Sequence, residues 1–535
     1  MAKYILHALS YRALIVFCSL FYASNSFATV NNDEFRKSLT NALSKNSDII
    51  RFYQDNGFKP LWVGNERKAR ERKSYFFKEL KNASKHVLPA SRYDLDYLKR
   101  QAKLARSSSD LGLTEALITQ KFIDFASNLQ TGVLKPSSVN KEIVRKVPYR
   151  TTVVYLEKIR SVSPAKFFRS LHPQSKQYSL LLKEKTRLEK IIAKGGWNSE
   201  LPNEMVRPGD EGAKVVLVRN ALIKRGYLGR SSSEVYDGKL RRAVQLFQLR
   251  HGLAPDGIAG PATFSEMAKT AQERLASVLV ALEREKWTNF DFGSRHVIVN
   301  LPDFSTKLFE NGALIFETRN VIGTPVDDQR TPEFSDVIEH LITNPTWNVP
   351  KSITLKEYLP EMQEDPLAHD YLELIDVDRE IVPRDLVDFN EYDEDTFPYD
   401  LKQFPSITNA LGLVKFMFPN QYSIYLHDTP SKPLFDLEVR AFSHGCIRLQ
   451  KPFEFAYELL KPQSEDPKTT FNEAIATGEE TVVYLRQPVP VHLIYRTAFV
   501  DELGEINYRR DIYGRDAAIY EALIDAGVQA ESFSG

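Results

Sequence analysis

Cysteine is almost missing from this chain: 535 residues carry only Cys18 and Cys446. That excludes a fold stapled by a set of disulfides. Surplus charge is missing too, since 71 basic residues face 70 acidic ones and leave a formal net charge of +1. A global field therefore gives no reason to expect nucleic acid or an anionic membrane surface as a partner. Beyond the first two dozen residues there is no run of about 20 apolar residues, so no later segment is long and apolar enough to cross a bilayer as a helix. What remains is 42% hydrophobic and 26% charged, as expected of globular chains. At about 100–200 residues per domain, the length suggests roughly three or four domains.

The one apolar run is Ala13 to Ala23, "ALIVFCSLFYA", preceded by Lys3 and Arg12. It is too short to span a bilayer. Ser26-Phe27-Ala28 follows as a small-x-small cleavage pattern, so residues 1–28 read as a signal peptide with Thr29 as the mature start. Phe17 is too bulky for the position ahead of a lipidated cysteine. Cleavage removes Cys18 and leaves an exported protein with one thiol, either an intermolecular partner or a free reactive group.

Residues 29 to about 193 show apolar positions at helical spacing, as in "TEALITQKFIDFASNL", without long alternation. Lys/Arg-rich stretches such as "NERKARERKS" read as solvated surface. Gly195-Gly196 and Pro202 mark a boundary, giving a helical domain over 29–203. A unit of short helices follows over 204–270. Val215, Val218 and Leu222 share one helical face, and Leu240, Ala243, Val244 and Phe247 another. A further helix is expected over 271–290, completing the first helical domain. From His296 the period changes to short strands, with a hairpin signal at Asn311-Gly312. A β-rich domain is expected over 293–500, with strands and a tail over 501–535. It is interrupted at about 351–405 by an acidic insertion without the spacing of a calcium loop, read as a solvated or substrate-covering subdomain.

Cys446 is preceded by Ser443-His444-Gly445. The thiolate is the nucleophilic form, and a free thiol of pKa about 8.5 needs a base or a positive environment. His427 ends the apparent strand "SIYLH", nineteen positions upstream, and a long loop and return could bring it beside the sulfur. Gly445 lets the backbone turn so that N–H groups face a developing oxyanion. Arg448 offers a fork for a carboxylate. Read singly, the cysteine could be a small core residue and each histidine structural. Zinc held by His427, His444 and Cys446 is a further reading, against which stands the unusual His-x-Cys spacing. No metal and no cofactor is expected.

The joint pattern "HDTP…SHGCIRL" resembles the signature of the YkuD family of L,D-transpeptidases. With "RNVIGTP", "NALGLVKFMFPN", "FYQDNGFKPLW" and "FASNLQTGVLKP", nearly the whole mature chain is similar to the large YcbB-type members of Gram-negative bacteria. Val206 to about Lys269, with "RGYL", "AVQLFQ" and "DGIAGPAT", resembles a peptidoglycan-binding domain. The resemblance implies a multidomain α+β fold: a β-rich catalytic domain with an inserted cap, a helical scaffold and a three-helix wall-binding module. It implies Cys446 as nucleophile, His427 as general base and then acid, and His444 and Gly445 shaping the loop and oxyanion site. Arg448 would hold the loop or a substrate carboxylate, with Tyr425 and Trp347 as weaker pocket candidates that could equally be core. The implied reaction joins tetrapeptide donor stems to diaminopimelate-containing acceptor stems by 3→3 cross-links in the periplasm. Other wall synthases would be partners, and carbapenems would acylate the thiol.

Three rivals act on the same wall. An L,D-carboxypeptidase would use the same cysteine with water as acceptor, and a related enzyme would transfer the stem to a lipoprotein lysine. A serine D,D-transpeptidase is set aside because no Lys-Thr-Gly is present. A non-catalytic wall-binding protein would have no need of the nucleophile and base.

Overall fold

Helices fill the first half of the chain and a large mixed sheet the second, the α+β arrangement expected from the change of period near His296. The computed structural model describes residues 32–529. The expected leader, Cys18 and the last six residues lie outside the described residues. Two compact units are present, one reaching Lys73 and including Asp96–Gln120, the other comprising Ser74–Leu95 and the chain from Lys121 onward. The helical region expected over 29–203 is shared between them.

The first unit is organised by a buried carboxylate. Glu115 accepts the backbone N–H groups of Leu61 (2.6 Å), Trp62 (3.1 Å) and Val63 (3.0 Å) and the hydroxyl of Tyr53 (2.7 Å). A buried charge is tolerable only with such partners.

In the second unit the helix Lys176–Ala193 starts at Ser175, whose side chain accepts from the Tyr178 N–H at 3.0 Å. It shares an apolar cluster with the helix Ala271–Trp287, through Leu181 and Leu188 against Leu275, Val278 and Leu282. Thr270 and Glu273 cap the second helix reciprocally, closing two donors that would otherwise be unpaired. Between them lies a three-helix module, Ala213–Arg225, Gly238–Arg250 and Pro261–Ala268. Val215, Val218, Leu222, Leu240, Ala243, Val244 and Phe247 form its core.

This module is fixed to the rest of the unit by polar contacts. The Ala254 N–H donates to Glu438 at 2.9 Å, Arg509 donates to the Arg250 carbonyl at 3.1 Å, and Arg250 pairs with Glu505 at 2.8 Å. His251 stacks on Tyr508 with ring centroids 5.6 Å apart.

The sheet begins with β1 (Arg295–Asn300), β2 (Ser305–Glu310), β3 (Ala313–Gly323) and β4 (Ser335–Thr343). Asn311 and Gly312 both take positive φ, 51° and 81°, the two-residue turn that suits strand twist. A second, four-stranded sheet is inserted next: β5 (Trp347–Asn348), β6 (Glu373–Ile375), β7 (Ile381–Val382) and β8 (Asp400–Gln403), ordered β5-β8-β6-β7. With the turns around it this is the cap, and it begins slightly before the expected boundary. The first sheet resumes with β9 (Val414–Met417), β10 (Leu426–His427), β11 (Ala441–Ser443), β12 (Ile447–Leu449) and β13 (Thr481–Ile494). Its order is β11-β3-β12-β10-β9-β4-β13-β1-β2, and β2 also pairs with β3, so the strands close on themselves like a barrel.

A short hairpin, β14 (Ala498–Val500) and β15 (Ile506–Tyr508), follows. The chain then forms a helix, Arg515–Asp525, inside the region expected to hold strands and a tail. Buried Glu333 ties these parts together, pairing with Arg284 (2.8 Å), Arg145 (3.5 Å) and Arg515 (3.5 Å).

Candidate active site

The segment around Cys446 is shaped by the end of β3. β11 runs parallel to β3, with Ala441 opposite Ile322 and Ser443 opposite Gly323. β12 returns antiparallel along the other edge, with Arg448 opposite Val321 and Leu449 opposite Asn320. His444, Gly445 and Cys446 therefore form a tight crossing over the last residue of β3. Gly445 has φ +109°, and a Cβ there would stand 3.0 Å from Ile424 Cδ1, so only glycine sits without strain. Thr331 Oγ1 accepts the Gly323 N–H at 3.0 Å and donates to the Gly445 carbonyl at 2.7 Å, pinning the crossing. The Tyr513 hydroxyl donates to the Gly323 carbonyl at 2.6 Å.

β10 lies parallel to β12 with His427 opposite Arg448, and antiparallel to β9 with His427 opposite Lys415. Side chains two apart on a strand share a face. Tyr425, His427, Arg448 and Lys415 therefore share one face of the sheet, and Cys446 stands at its edge, one step before β12. The Ile447 N–H donates to the Tyr425 carbonyl at 3.0 Å, which sets Cys446 against Tyr425.

Cys446 is half-buried, and its thiol donates to the Ser423 carbonyl at 3.5 Å. Burial pushes the thiol up to about 11, against the backbone N–H and hydroxyl of Tyr425 and the charges of Arg448 and Lys415, which favour the thiolate. His427 is buried, and its Nδ1 has no hydrogen-bond partner among the described residues. Burial, and then the neighbouring Arg448 charge, hold its pKa down at about 3, so the ring is neutral at ordinary pH. Arg448 is half-buried, and its Nε has no partner among the described residues.

His444 lies apart from this face. Its Nε2 is 2.6 Å from Glu357 Oε1, a carboxylate carried by the cap. Trp347 belongs to the cap's own apolar cluster, edge-on to Tyr358 at 6.4 Å. Tyr425 packs against both the barrel core and the cap cluster. The site thus gathers Cys446, His427, Arg448 and Tyr425, places His444 and Gly445 at the crossing, and puts Trp347 one layer back.

Lys415, Ser423, Thr331 and Glu357 were not anticipated. The alternation of "LVKFM" could have directed attention to Lys415 as the polar position facing out of a buried strand. Nothing local marks Glu357 among the many acidic residues of the insertion.

Three family models match separate parts of the chain. Residues 294–483 match the family described as "L,D-transpeptidase catalytic domain", residues 47–184 the "Scaffold domain", and residues 211–267 the "Putative peptidoglycan binding domain". A Haemophilus influenzae protein named "Putative L,D-transpeptidase" is 34% identical over 232 residues, 43% of this chain and 46% of that protein. The chain thus matches about half the length of that curated relative. A crystal structure of the L,D-transpeptidase from Xylanimonas cellulosilytica is 13% identical, covering 55% of this chain and all of that one, with a TM-score of 0.18. The Ldtfm-avibactam carbamoyl enzyme gives 14% identity, 58% and 98% coverage and a TM-score of 0.19. Likeness of that size carries no weight for the fold.

Proposed function

We propose that this protein is a cysteine-dependent L,D-transpeptidase, forming 3→3 cross-links between peptidoglycan tetrapeptide stems through a thioester on Cys446. The observation that carries the reading is the grouping of Cys446, Tyr425, His427 and Arg448 at one end of a closed sheet. The matches to catalytic and wall-binding families support the substrate class. The leader-like N-terminus supports action in the periplasm, where other wall synthases would be partners and carbapenems would acylate the same thiol.

At rest, thiol and imidazole are both neutral, because burial disfavours either charge alone. Passing a proton from Sγ to His427 creates thiolate and imidazolium together, and each charge offsets the penalty on the other. The sulfur attacks the carbonyl of the stem's third residue. The C–N bond to D-alanine breaks, and the imidazolium returns its proton to the leaving amine. The thioester is then opened by the side-chain amine of a second stem.

Intact-mass spectrometry of the protein with tetrapeptide-rich muropeptides, beside Cys446→Ala, tests this. A wild-type acyl adduct absent from the variant, followed by 3→3 dimers, is the expected result. An adduct resolving only to tripeptides would assign a carboxypeptidase. No adduct from folded, reduced protein would overturn the catalytic reading.

A further inference from the structure

The two histidines beside Cys446 stand in opposite surroundings. His427 is buried at 3% exposure, while the His444 side chain is 34% exposed. His444 has a carboxylate on Nε2, and that carboxylate comes from the cap, 87 positions away in sequence. The cap presents it on a π-turn, Thr354–Tyr358, a wide geometry that often marks functional positions. Lys356 in this turn pairs with Asp328 at 2.8 Å, and Gln329 reaches Glu357 at 3.4 Å. The next residue, Tyr358, lies near Arg448. Two consecutive cap residues therefore address the residues two before and two after the nucleophile.

The second acyl transfer poses a proton problem that the first does not. An aliphatic acceptor amine arrives as an ammonium, of ordinary pKa about 10.4, and cannot attack until it loses a proton. His427 is poorly suited to take it. Once Cys446 is acylated there is no thiolate to balance a buried imidazolium, and Arg448 opposes one. His444 carries its counter-charge with it. An imidazole that donates its Nε2 proton to a carboxylate offers the Nδ1 lone pair to an incoming proton donor. A carboxylate so placed orients an imidazole and steadies its cation, as in hydrolase triads.

We infer that Glu357 is a positioning residue for His444, and that this cap-borne pair serves the aminolysis half of the reaction, with His444 as the base for the acceptor amine. In that step the ammonium gives one proton to His444 and its nitrogen bonds to the thioester carbonyl. The C–S bond breaks, the amide forms, and the sulfur takes the second nitrogen proton as the thiol. The inference rests on the transpeptidase reading.

The experiment measures the two half-reactions separately. Acyl-adduct formation is followed with a tetrapeptide donor, and transfer from the acyl-enzyme with a diaminopimelate-containing tripeptide acceptor. Full-length wild type, Glu357→Ala, Glu357→Gln and Lys356→Ala are compared, with thermal melts confirming folding. General bases contribute about 10²–10⁴-fold, so loss of positioning is expected to slow aminolysis at least about tenfold more than acylation in Glu357→Ala. The loss should appear in kcat for the acceptor rather than KM. Glu357→Gln keeps an oxygen acceptor and should recover part of it, whereas Lys356→Ala should show no such split. Equal slowing of both half-reactions in Glu357→Ala, no slowing at all, or the same split in Lys356→Ala would overturn the inference. Failure of the wild type to acylate would instead remove the reading beneath it.

Discussion

The barrel-like sheet and the cap solve the same problem, placing side chains around one sulfur, by different means. The sheet uses strands as long as the 14 residues of β13 and the 11 of β3, and it closes through the β2–β3 pairing. A one-residue slip would turn every core side chain outward, so register is fixed throughout. Cys446, His427, Arg448 and Lys415 inherit their positions from that register. The cap's strands are two to four residues long, and Leu367, Val377, Leu386 and Ile407 are more than two-thirds exposed. It reaches the site through its apolar cluster against Tyr425 and through Glu357 on His444. The surroundings of Cys446 are therefore built into the strand register, while the groups facing it from the cap depend on how the cap is seated.

Four substitutions separate the two regions. The largest effect is expected from Cys446→Ala, which should abolish acyl-adduct formation. The melting temperature should stay close to wild type, since the change removes one half-buried sulfur packed at the edge of the barrel core. Trp347→Ala should remove a large anchor from the cap's cluster, costing about 3–5 kcal/mol of local stability. Hydrogen exchange should show the loss in cap amides while β1, β4 and β13 stay protected. Loss of protection across both sheets would show that the two regions are not separate in stability.

Gly445→Ala comes next. Its φ of +109° and the nearby Ile424 methyl should cost about 1–3 kcal/mol, seen in denaturant unfolding, with reduced acylation and an undisturbed cap.

The smallest effect is expected from Tyr425→Phe, where sheet and cap meet. Wild-type alkylation by iodoacetamide should rise with pH toward a midpoint near 11, because only the thiolate reacts. Removing the hydroxyl, a hydrogen bond of about 0.5–1.5 kcal/mol, should move that midpoint upward by roughly 0.4–1.1 pH units. The linkage has a definite sign. A thiol pKa raised in the folded state adds stability that is full below the unfolded value and is lost as pH rises toward about 11.

How much could be read beforehand follows the same division. Cys446, His427 and the glycine crossing stood out in the sequence because each is a residue type with few other uses in that order. The helices of the small module were legible because Val215, Val218 and Leu222 keep a helical period and Gly226 ends the first one at φ 86°. The strand expected at "SIYLH" was legible only as a pattern. Just Leu426 and His427 pair, because Ser423 takes a positive φ of 54° and bends the chain under the thiol. The helix Arg515–Asp525 was missed although its buried Arg515 and Asp516 face the ion cluster around Glu333, since charged residues at core positions hide a helical period. Glu357 was illegible because its meaning lies in a partner 87 positions away.

The small three-helix module is bolted to the body rather than tethered, by Ala254 on Glu438, Arg250 on Glu505 and His251 on Tyr508. A tethered module searches a volume set by its linker, and its benefit falls as the linker lengthens. A bolted one is a gauge: the interval between grip and reaction is the same for every event. Glu438 lies on the very loop that connects His427 to Cys446. A glycan strand held by such a module would be worked at one fixed offset along its length, and the next bond would be reached only by letting go and stepping.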